Sequence, residues 1–456
     1  MDPRTATYIV FFIFVIPRFL TLAQAQVQDI KALISDIASP QRNLNPGLTP
    51  LIGSVPVLTI DVSSRKPDIP DTVIKITTFP SGKLEGYSPA MLTMIQGLLS
   101  RQEILLEYFP CDTMIYTVAV TRESVGVYSY RTDEEFWKKE KLFLRKIRLA
   151  DFGDCRNQSE TLSEVLLGTV SMKLKGKTRA VIIAHNALSG FPFEVLAYPV
   201  KRSGSPGVKT RYLIEGREIV YNNSAAQWLS SRIRSKISNG KANVDNSLAF
   251  VGFSPRFEFH ECIQELISAD HEVSTIGKMF RERGKTPVIL LNENSNENNF
   301  KSIARFSHIL HIATHTISSD VFPDMNGLLF NEYGSEQNNS GDPDDGLLAI
   351  HEICDLQITA DLIVLNACAS ANIRSRIGMN WFSCADCFMK AGARNVLCTL
   401  WNVSDRLAEK FMVEFYRNYL AGMSFSKALQ QVKVRMIADQ STSLPINWAV
   451  YVLMGE

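Results

Sequence analysis

Two apolar segments of the chain each end in a side chain that can take part in nucleophilic catalysis. The first is Ile309–His315 and the second is Asp361–Cys368. Both have the length and the β-branched content of a buried parallel strand, and catalytic groups gather at the carboxyl ends of such strands in open α/β sheets. We therefore expect His315 and Cys368 to lie close together.

A cysteine thiol becomes a useful nucleophile at neutral pH when a neighbouring base takes its proton, because free cysteine titrates near ~8.5. His315 is the candidate base and Cys368 the candidate nucleophile. The residue types alone leave a second reading open, a core histidine beside an inert thiol, because free cysteine is among the most buried residue types. In a regular strand His311 shares a face with His315, where it would support the site or belong to the core.

Composition excludes some classes of function. The chain has 456 residues, enough for two or three domains, and its 48 basic and 47 acidic residues nearly balance. This balance argues against nucleic acid as a partner, because such binding normally leaves a basic patch. The Cys384–Cys387 segment has the CxxC form, but no second CxxC or spaced histidine pair follows to complete a metal site. A core role and a thiol redox role both remain open for it.

The two segments also resemble motifs of the CHAT domain family, which are caspase-like cysteine peptidases related to separase. Leu310–His315 resembles the family's histidine strand, and Val364–Cys368 resembles its cysteine strand. The separation of the two residues, 53 positions (368 − 315), is close to the caspase offset of about 50. Further similar segments follow in the family's order between about Met91 and Glu456: Leu105–Phe109, Tyr116–Thr121, Phe191–Leu196, Ala249–Pro255, Leu400–Asp405 and Asn447–Gly455.

The resemblance implies an α/β fold with a mostly parallel caspase-like sheet flanked by helices. It implies two parts, a pseudo-caspase half over residues 90–243 and a catalytic half over residues 244–456. An alternation of strand-like and helical patterns supports this organisation. The patterns predict helices at Glu134–Arg148 and Asp405–Ala421 and strands at Arg179–Ala184, Pro287–Leu291 and Asn395–Trp401.

For function, the resemblance implies peptide-bond hydrolysis by the Cys368 thiolate with His315 as the base. The oxyanion would be held by the backbone N–H groups of Thr316 and Cys368, with no metal and no organic cofactor. A protein substrate and an activating protein partner are the implied partners. Two departures from the family pattern favour an alternative, a catalytically weak or inactive interaction module: Thr316 replaces the usual glycine, and Ala369–Ala371 replaces an acidic residue, threonine and glycine. A thiol oxidoreductase using Cys384 and Cys387 is a third reading.

Trp401 and Asp405 are candidates for the substrate pocket. If Asp405 faced the pocket, its charge would favour a basic side chain at P1, the substrate residue before the cleaved bond. The other reading makes Asp405 the N-cap of a helix that starts near Arg406. The polar segment Asn331–Asp345, between the two catalytic strands, is predicted to be an exposed loop, either a gate or a plain connection.

The N-terminal residues have the features of a secretory signal. The apolar run Tyr8–Ile16 follows Arg4, and Ala23–Ala25 has the small-x-small form of a cleavage site. We predict a signal peptide at residues 1–25, a Pro/Ser-rich approach segment at 26–89, and a secreted or periplasmic protein, with a cytoplasmic one as the alternative. An uncleaved anchor is disfavoured because the run is far shorter than the ~20 residues that span a bilayer, and no stable membrane span is predicted.

Overall fold

The computed structural model describes residues 87–111, 113–151, 155–201, 208–239, 248–257, 266–317, 326–331, 344–366, 368–369 and 381–455. The predicted signal peptide, nearly all of the approach segment and most of the Asn331–Asp345 loop lie outside these ranges.

Strands occur in both halves of the chain. They are β1 Glu103–Pro110, β2 Met114–Val120, β3 Val125–Arg131, β4 Arg179–Ala184, β5 Ala197–Lys201, β6 Val208–Tyr212, β7 Glu218–Asn222, β8 Val251–Ser254, β9 Val288–Leu291, β10 Ile309–Ile312, β11 His315–Ile317, β12 Gly327–Leu329, β13 Leu347–Ala349, β14 Leu362–Leu365, β15 Cys368–Ala369, β16 Val396–Thr399 and β17 Tyr451–Met454.

The α-helices flank and connect these strands. They are α1 Pro89–Leu98, α2 Glu134–Arg148, α3 Cys155–Leu167, α4 Ser171–Leu174, α5 Leu213–Gly216, α6 Ala225–Asn239, α7 Ala269–Glu282, α8 Glu297–Ile303, α9 Ile350–Asp355, α10 Trp381–Ala391, α11 Asp405–Leu420, α12 Phe425–Ala438 and α13 Pro445–Trp448. Single 3₁₀ turns occur at Gly168–Val170, Asn186–Leu188, Phe193–Val195, Asn292–Asn294 and Ala304–Phe306.

Within the described residues, one large sheet has the strand order β3-β2-β1-β4-β7-β17-β16-β14-β10-β8-β9. Its neighbouring strands are parallel except for the pairs β2–β3, β1–β2 and β16–β17. Parallel strands require crossover connections, and the intervening helices provide them. The predicted fold class, a mostly parallel α/β sheet flanked by helices, is confirmed.

The central strands of the second half of this sheet are covered on both faces. Every residue of β8, β10, β14, β16 and β17 is buried. Parallel strands buried on both faces read as continuous hydrophobic runs rather than as alternating patterns. The core positions come from both halves of the sequence, and β7 and β17 join them through the pair Met454 and Tyr221. The division at residue 243 remains a prediction.

A fully buried ion pair ties the C-terminal helices to the first half. Lys433 of α12 places its Nζ 3.0 Å from Glu194 Oε1, and neither side chain has measurable exposure. The Lys433 ammonium also donates to the Tyr451 carbonyl oxygen, while the Tyr221 hydroxyl donates to the second carboxylate oxygen of Glu194. Burial lowers the pKa of Lys433, and the nearby Glu194 carboxylate opposes that shift.

We predict that Lys433→Met lowers the free energy of unfolding by about 3–5 kcal/mol, because it leaves the Glu194 carboxylate buried without its cation. Urea denaturation measures this loss. The double variant Glu194→Gln/Lys433→Met should lose less than the single variant, since glutamine removes the charge and keeps an acceptor for the Tyr221 hydroxyl. A double variant as unstable as Lys433→Met would contradict this account.

Candidate active site

The predicted catalytic strands are interrupted before they reach His315 and Cys368. In the large sheet, the β10–β14 ladder ends at the pair Ile312 and Leu365. His315 then begins β11 and Cys368 begins β15, and both belong to a separate four-stranded sheet with the order β13-β12-β11-β15. The prediction of two continuous strands, Ile309–His315 and Asp361–Cys368, is therefore wrong in extent.

The interruption follows from a contact that Thr314 makes with a later segment of the chain. Its side chain has no exposed surface, and its hydroxyl donates to the Leu329 carbonyl oxygen at 2.5 Å. This bond draws the chain toward β12, the antiparallel partner of β11. On its other side β12 approaches β13 closely, because a Cβ added to Gly327 of β12 would stand 2.3 Å from the Leu348 carbonyl oxygen of β13. Only glycine fits there without displacing backbone.

The short sheet nevertheless brings the two candidate residues side by side. His315 and Cys368 are register partners in the parallel pair β11–β15. Adjacent strands lie about 4.8 Å apart, so the two backbones are immediate neighbours. His315 is 9% exposed, and its ring lies 5.4 Å from the ring of Phe257. The backbone register thus places His315 and Cys368 at neighbouring positions, as we expected.

Thr316 occupies an extended strand position rather than a tight turn. It pairs with Leu328 of β12 on one side and with Ala369 of β15 on the other, and it is 8% exposed. Extended backbone suits a β-branched residue, so threonine is accommodated where the family usually has glycine.

His311 belongs to a buried polar network and not to a regular strand shared with His315. Its Nε2 lies 2.7 Å from Glu272 Oε1, and its Nδ1 lies 3.1 Å from the Tyr416 hydroxyl. Glu272 also accepts two hydrogen bonds from Asn366 Nδ2, at 2.8 and 2.9 Å. Burial and the nearby Glu272 carboxylate raise the pKa of Tyr416 well above its usual range, so its hydroxyl stays protonated.

Sequence reasoning missed Glu272 and Asn366. Glu272 lies in the first turn of α7, where an acidic residue is ordinary, and its partner Asn366 is distant in sequence. The available signal was Asn366 itself, a polar residue directly after the apolar run that leads to Cys368.

The two pocket candidates have structural partners of their own. Trp401 is 6% exposed, and its indole N–H donates to the Ile446 carbonyl oxygen at 3.0 Å. Asp405 is the first residue of α11, and Ser404 is the N-cap, so the N-cap assignment for Asp405 is wrong by one position. The Asp405 carboxylate accepts from the Ser268 backbone N–H at 3.4 Å, just before α7.

The described end of the Asn331–Asp345 segment is anchored by Lys301 of α8. Lys301 Nζ lies 2.9 Å from Asp344, 2.8 Å from Glu352 and 2.7 Å from Glu297. Burial raises the pKa of Glu297 to about 7, and the Lys301 ammonium opposes that shift. The Gly346 backbone N–H donates to Glu297 at 2.9 Å. These contacts fix the entry to β13 in the short sheet.

The CxxC segment does not form a redox pair with itself. Cys387 of α10 is joined by a disulfide to Cys354 of α9, and Cys384 is a buried free thiol. Burial raises the pKa of Cys384 to about 12. The oxidoreductase reading therefore lacks its dithiol. Among the described residues, no cluster of three or more His, Cys, Asp and Glu side chains is arranged to hold a metal ion.

Comparison with known proteins decides the family. The model of the CHAT domain matches residues 156–456, which is more than half of the chain. The chain belongs to the CHAT domain family. The match begins later than the resemblance suggested from sequence, and it includes both His315 and Cys368.

Among curated proteins, this chain is similar to tetratricopeptide repeat protein 28 of Homo sapiens, with 31% identity over 111 residues. The match covers 24% of this chain and 4% of that protein. The protein of the same name from Mus musculus is 30% identical over 110 residues, again 24% of this chain and 4% of that one. The chain thus matches a small fraction of the length of these relatives.

Among solved structures, similarity extends to the Saccharomyces cerevisiae separase–securin complex, with a TM-score of 0.49 and 11% identity over 80% of this chain and 30% of that chain. The complex of the Porphyromonas gingivalis RgpB pro- and mature domains gives a TM-score of 0.39 and 10% identity, covering 71% of this chain and 75% of that chain. Across the described ranges, no helix of the CHAT protein has the length and apolarity needed to cross a bilayer.

We predict that Asp405→Asn lowers the free energy of unfolding by about 0.3–1 kcal/mol, because it removes a negative charge from the first turn of α11 and weakens the bond to Ser268. Thermal denaturation measures the loss. In a peptide-probe assay the P1 preference should stay that of the wild type, because this carboxylate already binds backbone. A switch of preference away from basic side chains would show instead that Asp405 faces substrate.

Proposed function

We propose that this CHAT domain is a cysteine endopeptidase that hydrolyses peptide bonds in protein substrates with a His315–Cys368 dyad. The observation that carries the proposal is the register pairing of these two residues at the head of adjacent parallel strands. Membership in the CHAT domain family supports it, since the matched region includes both residues.

The proposed reaction begins when the His315 imidazole takes the proton of the Cys368 thiol. The thiolate attacks the substrate carbonyl carbon and forms a tetrahedral intermediate. Backbone N–H groups at Thr316 and Cys368 would hold its oxyanion. Hydrogen-bond donors stabilise a developing negative charge more strongly in a partly dry site than in water. The His315 imidazolium then protonates the leaving amine, and water hydrolyses the acyl-enzyme. The proposal requires neither a metal ion nor an organic cofactor.

His315 has the surroundings that such a base needs. It is almost entirely buried and contacts the ring of Phe257. Exclusion of water strengthens the interaction between an imidazolium and a thiolate, because the local dielectric constant is low. We further propose that an activating protein partner orders the site and that the substrate is a protein. Nucleic acid is not a proposed partner, given the near balance of charge.

The second candidate function is a CHAT-fold interaction module without strong catalysis. The observation that favours it is the replacement of the family's residues at Thr316 and at Ala369. Strand geometry accommodates Thr316, which weakens this alternative without removing it. Thiol reactivity separates the two functions.

We predict that an electrophilic peptide-probe library labels Cys368 selectively at mildly acidic pH, where an ordinary thiol is protonated. His315→Ala should slow this labelling by about 100-fold or more, because the thiol loses its base. Mass-spectrometric mapping of labelled peptides measures both effects, and the preferred probe identifies P1. The library is applied to the purified chain alone and with candidate activating proteins.

Two controls sharpen this experiment. His185→Ala is the matched variant, because His185 follows β4 in the first half of the chain and pairs with Glu107 at 2.7 Å. It should leave the labelling of Cys368 unchanged. Cys111 is an exposed free thiol and reports ordinary reactivity. If Cys368 labels no faster than Cys111 in folded protein with activators present, the peptidase proposal fails and the interaction module replaces it.

We also propose that the protein is exported to an oxidising compartment, as the signal-like residues 1–25 suggest. The Cys354–Cys387 disulfide supports this, because such bonds persist outside reducing compartments. We predict that protein recovered from the source cells begins at Gln26 and shows the disulfide in non-reducing peptide mapping. Protein that retains Met1 and carries Cys354 as a free thiol would favour the cytoplasmic alternative.

A further inference from the structure

Four hydrogen bonds hold the backbone and the side chain of Asn366. It stands one residue beyond β14 and two residues before Cys368. Its backbone N–H donates to the Ile312 carbonyl oxygen at 2.9 Å, and its side-chain Oδ1 accepts from the Tyr451 hydroxyl at 3.2 Å. Its Nδ2 donates to both carboxylate oxygens of Glu272. The segment that leads to the candidate nucleophile is therefore anchored immediately before it.

Glu272 is an unusual choice for this anchor on stability grounds. It is 1% exposed, and the desolvation penalty of a buried carboxylate can exceed the stabilisation gained from its partners. An apolar residue at the first turn of α7 would fill the same space without that cost. The carboxylate is satisfied by donors from His311 and Asn366, which belong to the two segments leading to His315 and Cys368. One side chain thus connects both halves of the candidate dyad.

We propose that Glu272 is a positioning residue that fixes, through Asn366, the path by which the backbone reaches Cys368, and through His311 the strand that precedes His315. This inference deepens the proposed function and rests on it. Glu272 acts through the two side chains that its carboxylate binds, His311 and Asn366. The short strand β15 has two residues, so its ladder alone gives a weak hold on the backbone at Cys368.

The size of the expected effect follows from comparable arrangements. In metal sites, groups that orient a ligand through hydrogen bonds change affinity or activity by about 10–100-fold when removed, and we expect an effect of similar size here. A displacement of about 1 Å at a reacting centre has a cost of about 100-fold. Loss of the Glu272–Asn366 contact should therefore slow the reaction of Cys368 within this range while the protein remains folded.

The carboxylate of Glu272 and the amide of Asn366 can be exchanged between the two positions, so that the pair still contains one of each group. In Glu272→Gln, the new amide N–H₂ faces the donor Nδ2 of Asn366, and one acceptor is lost. In Asn366→Asp, two carboxylates meet in a buried site. In the double variant Glu272→Gln/Asn366→Asp, the glutamine amide donates to the aspartate carboxylate. The pair then carries the same groups and the same net charge with the direction of the bond reversed.

The experiment measures saturation kinetics of Cys368 labelling by an electrophilic peptide probe for these three variants, well below their unfolding temperatures. Each single variant should lower the maximal labelling rate by about 10–100-fold and leave the half-saturating probe concentration nearly unchanged. The double variant should return to within about threefold of wild type. Tyr108→Phe is the control, because it removes a buried hydrogen bond to the Leu166 carbonyl oxygen far from the site. It should lower stability and leave the labelling rate of Cys368 unchanged.

The outcomes separate this inference from the proposed function. Single variants that label at the wild-type rate, or a double variant no faster than the singles, would overturn the positioning role. If wild-type Cys368 is not selectively reactive, the peptidase proposal fails, and amide hydrogen exchange of residues 366–369 decides on the anchor instead. Faster exchange in each single variant and wild-type exchange in the double variant would support it, and unchanged exchange would overturn it.

Discussion

The constraint on which the site depends is the end of the β10–β14 ladder at Ile312 and Leu365. Up to that pair, two buried parallel strands fix the spacing and direction of the chain through hydrogen bonds that run in the core. Beyond it, both segments leave the large sheet within three residues and pair again in the short sheet as His315 and Cys368. The second ladder therefore keeps the parallel register of the first. Proximity of the His315 and Cys368 backbones is a consequence of this shared register.

Local pattern was sufficient for much of this fold. The helix Glu134–Arg148 and the strand Arg179–Ala184 have the bounds that the sequence predicts. Asp133 caps that helix through the Phe136 backbone N–H at 2.8 Å, and acidic and basic residues stand at its appropriate ends. The strand is a β-branched run bounded by polar residues, as a buried parallel strand should be. Such signals lie within a few residues of the element that they define.

The interruption after Ile312 could not be predicted in the same way. Ala313 and Thr314 are as buried as the strand before them, so the apolar pattern continues through the break. What ends the strand is the bond from Thr314 to the Leu329 carbonyl oxygen, whose partner stands across an intervening segment. The Glu272–Asn366 contact has the same character, since it spans 94 positions. The periodicity of a sequence indicates which residues are buried, but not which distant atom accepts a hydrogen bond. The two residues of the candidate dyad could therefore be identified from the sequence, whereas the distant contacts that position them could not.

The division between the two sheets also bears on the departures from the family pattern. On the core side of Cys368, the chain is fixed at Asn366 by four hydrogen bonds. On the other side, Ala369 has its backbone pairing with Thr316, and a short ladder contributes little by itself. A change at Asn366 would therefore act on the residue whose hydrogen bonds hold the chain before Cys368. None of the residues that form this anchor belongs to the altered Ala369–Ala371 stretch, so that departure from the family pattern leaves the anchor before the candidate nucleophile in place.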